Sequence, residues 1–109
     1  MATEPSAQST EPSAQPSSDE QALELRCKGR SFAAIAKALG FARASQANEA
    51  FNRALRTRPK KDQTAIRDEE NRRLDDLADR LRSRTDLSKD QVDNQIKIIT
   101  RMREVLMAS

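Results

Sequence analysis

Between positions 43 and 61 the sequence gathers the side chains with most chemistry to offer: Ser45, Gln46, Asn48 and Asn52, interleaved with Arg43, Arg53, Arg56, Arg58, Lys60 and Lys61. Carboxamides make paired hydrogen bonds to the major-groove edge of adenine, and hydroxyls bond to several base edges. Guanidinium and ammonium groups hold phosphate oxygens. The first four residues are therefore candidate base contacts and the six cations candidate phosphate contacts. Glu49 lies among them, four residues before Arg53, and at that spacing it reads as an intrahelical partner of the arginine in preference to a cytosine contact. With no histidine and the single cysteine Cys27, the chain lacks zinc-finger spacing and any Ser-His or Cys-His nucleophile pair. Its many carboxylates stand beside arginines on charged helical faces. The expectation is a non-enzyme with no metal and no cofactor.

Two helices must position these groups. Phe32, Ile35, Ala36 and Leu39 recur at three- and four-residue spacing after Ser31, a capping residue for the orphan amides of a helix start. Gly40 follows the last periodic residue, where a left-handed backbone suits glycine. A second helix then sets Ala47, Ala50, Phe51, Ala54 and Leu55 on one side, which must face a core, and the polar residues on the other. Small Ala36 permits close crossing of the two helices. Helix, glycine turn and second amphipathic helix form the helix-turn-helix pattern.

The net charge of +3 conceals a strong asymmetry. Residues 1–20 carry −4, residues 21–61 carry +8 and residues 62–109 carry −1. A positive field confined to the segment holding the two-helix pattern is the footprint of polyanion docking. At 109 residues, 36% hydrophobic with three aromatics, the chain fits one small domain with tails and a modest core; its Ala, Glu, Leu, Arg and Gln content favours helix. The N-terminus carries no leader-like pattern and no run reaches membrane-spanning length, so a cytoplasmic protein is expected.

The fold expected is all-α: an N-terminal three-helix helix-turn-helix domain followed by an antiparallel two-helix hairpin. Residues 1–17 contain TEPSAQ twice, at Thr3–Gln8 and Thr10–Gln15, in a low-complexity tract expected to be disordered. Residues 18–58 form the first domain. Its first helix should begin at Ser18, three residues before Gln21 in capping-box spacing, and end at Gly29, with Leu23 and Cys27 facing the core. The core is completed by Phe32, Ile35, Leu39, Phe41, Phe51 and Leu55. Pro59 stops the third helix and opens a basic linker at 59–62. Residues 63–109 then hold two helices, Gln63 to about Arg84 and Lys89 to about Met107, the second opened by a Ser88–Gln91 capping box. On the first, pairs such as Glu69 with Arg72 or Arg73 and Asp76 with Arg80 suit a solvated face. Leu74, Leu77, Leu81, Ile96, Ile99, Met102 and Leu106 form stripes expected to close the hairpin and to bind another subunit, with Ile98 and Val105 widening the second stripe.

The run from Ala22 to Leu55, with Gly40-Phe41, Ala47, Ala50-Phe51 and Arg53-Ala54-Leu55, resembles the helix-turn-helix of short actinobacterial and phage-derived proteins. These look like phage terminase small subunits and related homeodomain-like regulators. Glu70, Arg73-Leu74-Asp75 and Leu77 match a recurring E-x-x-R-L-D-x-L of that group, and Val92-Asp93, Ile96 and Ile98 resemble its final helix. The resemblance, over roughly residues 20–107, implies binding of double-stranded DNA, homo-oligomerisation and, in a packaging role, a large terminase or other phage protein as partner. The chain departs from the terminase pattern in being short. The other expectation is an oligomeric adaptor or assembly protein whose C-terminal hairpin binds a protein partner.

Overall fold

A computed structural model describes residues 17–108; the repeated TEPSAQ tract lies outside them. The described residues form five helices and no strand: α1 (Ser18–Cys27), α2 (Phe32–Leu39), α3 (Ala44–Arg56), α4 (Lys60–Ser83) and α5 (Lys89–Met107). None is long and apolar enough to cross a membrane. The chain divides into two compact units, residues 1–54 and 55–109, so the division falls in the last turn of α3.

In the first unit, local signals set the helix ends. α1 is capped by Ser17 rather than Ser18: the Ser17 hydroxyl accepts from the Glu20 amide at 3.2 Å. Ser31 Oγ accepts from the Ala34 amide at 3.1 Å. Gly40, at φ +80°, ends α2 in the left-handed region, where a Cβ would be strained.

The core of this unit contains Ala22, Leu23, Phe32, Ile35, Ala36, Ala47, Ala50, Phe51 and Ala54. Phe32 and Phe51 meet edge to face, with centroids 5.6 Å apart, an arrangement the ring quadrupoles favour. Cys27 was expected inside and is exposed. Its place is taken by Arg26, which follows Ala22 by four residues and Leu23 by three. The Arg26 guanidinium lies 4.0 Å from the Phe32 ring centroid and donates to the Arg30 carbonyl at 2.9 Å. Its charge is thus met by a π face and a backbone dipole. Leu39 and Phe41, also expected in the core, are half-buried.

In the second unit the proposed linker is shorter than 59–62. Lys60, Lys61 and Asp62 already form the first turn of α4, with Pro59 at the N-cap. Proline's missing amide is no loss at a helix start, and its fixed φ suits entry. Pro59 therefore opens the next helix as well as closing the last. The Ser88–Gln91 capping box is present in both directions, at 3.1 and 2.8 Å.

α4 and α5 pack along each other with contacts in opposite order. Near the start of α4, Arg67 Nε donates to the Leu106 carbonyl at 2.8 Å. One to two turns on, Asn71 and Asp75 each accept from Arg103 at 2.7 Å. Leu74, Ala78, Leu81, Ile99 and Leu106 are buried.

Glu69 pairs with Arg72 at 2.7 Å and with Arg73 at 3.7 Å. The hydrogen bond from Arg72 holds the Glu69 carboxyl below its ordinary value of 4.5. A depressed native pKa stabilises the fold above the ordinary value, and that contribution is lost as pH falls through the lower native one. On an exposed face the contribution is small and screened by salt. Carboxyl-detected NMR titration should show Glu69 titrating below 4.5, and Arg72→Gln should move its midpoint back up.

Candidate nucleic-acid interface

The side chains nominated for contact all lie on α3 or its flanks, so the rotation of that helix about its own axis decides which can act. At about 100° per residue, the buried and half-buried positions Gln46, Ala47, Asn48, Ala50, Phe51, Asn52, Ala54 and Leu55 sweep an arc of roughly 240°. The outward arc left over carries Ser45, Glu49, Arg53 and Arg56, all exposed.

Asn52 was expected at a base edge and is instead 2% exposed. Its Nδ2 donates to the Asn48 backbone carbonyl at 2.9 Å and to Asn48 Oδ1 at 3.2 Å. A buried amide that satisfies itself on the preceding turn is a structural group. Asn48 is half-buried and has its acceptor committed to Asn52. Gln46 Oε1 accepts from the amides of Ala42 and Arg43, at 2.8 and 3.2 Å. Gln46 thereby caps the start of α3, a position where no Ser, Thr, Asp or Asn is available. In this arrangement neither Asn48 nor Gln46 can offer the paired donor and acceptor that adenine requires. Of the four nominated base contacts, Ser45 stands fully clear.

Among the cations, Arg43 and Arg56 are exposed, Lys60 and Lys61 are exposed in the first turn of α4, and Arg58 is half-buried. The Arg58 backbone carbonyl accepts from Gln63 Nε2 at 2.7 Å. Arg53 is engaged, and its partner is not Glu49. Its Nε and Nη2 donate to the two oxygens of Asp19 on α1 at 2.9 and 3.0 Å. That bidentate bond, ahead of the charge of Asp19 and then of Glu49, raises the Arg53 pKa further. Arg53 and Glu49, with Gly40, Phe41, Ala42 and Gln46, line an open depression of about 440 Å³ beside the turn. The Asp19 contact, made across 34 positions of sequence, left no local signal to find it by.

The stripes expected to bind another subunit are mostly spent inside the chain. Leu74, Leu81, Ile99 and Leu106 are buried, Ile96 and Met102 are half-buried, and Leu77 is 40% exposed. Among the described residues, Ile98 at 53% and Met107 at 54% are the other large apolar side chains in the open. No group of three or more potential metal-ligating side chains occurs among the described residues.

The chain matches no protein-family model, no curated protein and no solved structure.

The Gln46 cap has a direct consequence. Gln46→Ala leaves two amides at the start of α3 without their acceptor and should cost about 1 kcal/mol, read by urea denaturation. Amide exchange should quicken at Ala42 and Arg43, and Gln46→Glu, which keeps the accepting oxygen, should restore protection.

Proposed function

We propose that this is a duplex-DNA-binding protein in which α1 to α3 form a helix-turn-helix domain, α3 enters the major groove with its outward arc, and α4 and α5 form an antiparallel hairpin. The observation that carries the reading is that arc: a helix following a left-handed glycine turn keeps Ser45, Glu49, Arg53 and Arg56 exposed within the segment of net charge +8. Arg43, Arg56, Lys60 and Lys61 hold phosphates. Arg53 reaches a phosphate through whatever donors Asp19 leaves to it. Asn48, Asn52 and Gln46 serve the fold.

Self-association belongs to the same proposal, because one small domain contacts few phosphates. It would use the apolar surface still open at Leu77, Ile98 and Met107. Likeness to phage terminase small subunits rests on the residue pattern, and it implies either a packaging or a regulatory role. A ring in solution supports the first and a dimer the second. The same three exposed residues favour a second reading, an adaptor whose hairpin docks a protein; an adaptor needs no +8 segment.

Fluorescence anisotropy with a mixed-sequence duplex tests the proposal. The full chain should bind at low salt with affinity falling steeply as salt rises. Arg43→Ala with Arg56→Ala should weaken binding to every duplex and flatten the log–log salt slope by about 1.8, the value for two phosphates. Lys97→Ala with Arg101→Ala, the same charge change on α5, should leave the slope unaltered. Absence of duplex binding at low salt refutes the reading.

A further inference from the structure

The segment of residues 21–61 contains ten bases and only two acids, Glu24 and Glu49. Glu49 occupies the middle of the outward arc of α3. A carboxylate there opposes approach to any phosphate backbone, so its presence on the groove-facing surface costs affinity unless a donor meets it.

Helical spacing alone would give that donor as Arg53, but Arg53 has turned both its Nε and one Nη to Asp19. Among the described residues no hydrogen bond or ion pair reaches the Glu49 side chain. Its influence on Arg53 is purely coulombic and is ranked behind that of Asp19. Asp19 therefore neutralises the arginine from the side and leaves Glu49 exposed, with its acceptors unused.

Building on the DNA-binding reading, we infer that Glu49 is a specificity-determining residue that accepts a hydrogen bond from the N4 amino group of a cytosine in the major groove. The edges of the bases decide the choice. Guanine presents two acceptors and thymine a carbonyl and a methyl, so both repel or exclude a carboxylate. Adenine offers its N6 amino group beside the N7 acceptor, which faces the second carboxylate oxygen. Cytosine presents the donor alone. Ser45, one turn earlier on the same arc, bonds to a neighbouring edge without discriminating among bases as strongly. With Asn52 buried and the Asn48 acceptor committed to it, recognition moves from adenine towards a C·G pair.

The test is selection from a randomised duplex library by the full-length wild-type chain and by Glu49→Gln in parallel. Anisotropy follows on the selected site and on a copy in which the cytosine is replaced by pyrimidin-2-one, which lacks the N4 amino group. The wild-type selection should contain an obligatory C·G pair, and removing the amino group should weaken binding about tenfold. Glu49→Gln, with its folding confirmed by urea denaturation, should lose that preference at that one position. It should also bind random duplex more tightly, since a repulsive charge is gone.

If the wild type selects a site but Glu49→Gln relaxes no position, or the amino group proves dispensable, the assignment of Glu49 is overturned while DNA binding stands. Binding without sequence preference overturns it equally. If no duplex binds at low salt, both readings fall together.

Discussion

The edge-to-face contact between Phe32 and Phe51 sets the rotation of α3, and that rotation sets which side chains of the helix face outward. Phe51 is 1% exposed and Ala47 and Ala50 are sealed completely, so the inward direction of the helix is not adjustable by small movements. Arg26, laid over the Phe32 ring at 4.0 Å, closes the aromatic pair with a cation where a core of this size has few large apolar side chains. A marginal core is thus completed by a residue that elsewhere would be solvent-facing. Once these contacts are made, Asn52 turns inward and Glu49 outward, whatever their chemistry would favour individually.

Charge is arranged around that geometry on two scales. At long range the segment 21–61 carries a net charge of +8, a field that favours approach of a polyanion. At short range individual groups are withdrawn from it, as Asp19 takes Arg53 and as the amides of Ala42 and Arg43 take the Gln46 oxygen. The Asp19 pair is partly exposed, with side chains at 53% and 33%, so its contribution to stability is modest. Its larger effect is on which donors and acceptors remain. A bidentate partner fixes the guanidinium plane and removes one of its two edges from competition for phosphate. The surface that can act is smaller than the list of polar residues on α3, and it is differently composed.

Much of this was legible in the residues, for reasons that separate cleanly from what was not. Both ends of α2 and the start of α5 follow from Ser31, Gly40 and the Ser88–Gln91 pair, each a short-range device whose outcome depends on neighbours three or four residues away. The span of α3 follows from its alanine and phenylalanine spacing. The start of α4 was misplaced because Pro59 was read only as a stop, although the same missing amide suits the turn that follows. Cys27 and Arg26 exchanged places because hydrophobicity was weighed without the ring that awaited the guanidinium. Asn48 and Asn52 were placed at a base edge because polar residues read as exposed. An amide that bonds to the preceding turn escapes that rule, and no pattern of spacing distinguishes the two cases. Only the long-range contacts do.

The second unit shows the same economy. Arg67 reaches the last carbonyls of α5, from Leu106 at 2.8 Å to Ala108 at 3.5 Å, and also donates to Gln63 at 3.0 Å. One side chain thereby serves orphan acceptors at the negative end of α5 and ties them to the first turns of α4. Within the E-x-x-R-L-D-x-L run, Glu70 is buried with Arg73 at 3.3 Å, Leu74 is core and Asp75 holds Arg103. Asp75 is itself exposed but paired, whereas Leu77 is an apolar side chain left 40% exposed. Four of the five defined positions are therefore explained by contacts inside the unit. Leu77 has no such account, and a leucine kept at solvent beside a helix pair already closed by Leu74, Ala78 and Leu81 is where a role in association has to be sought.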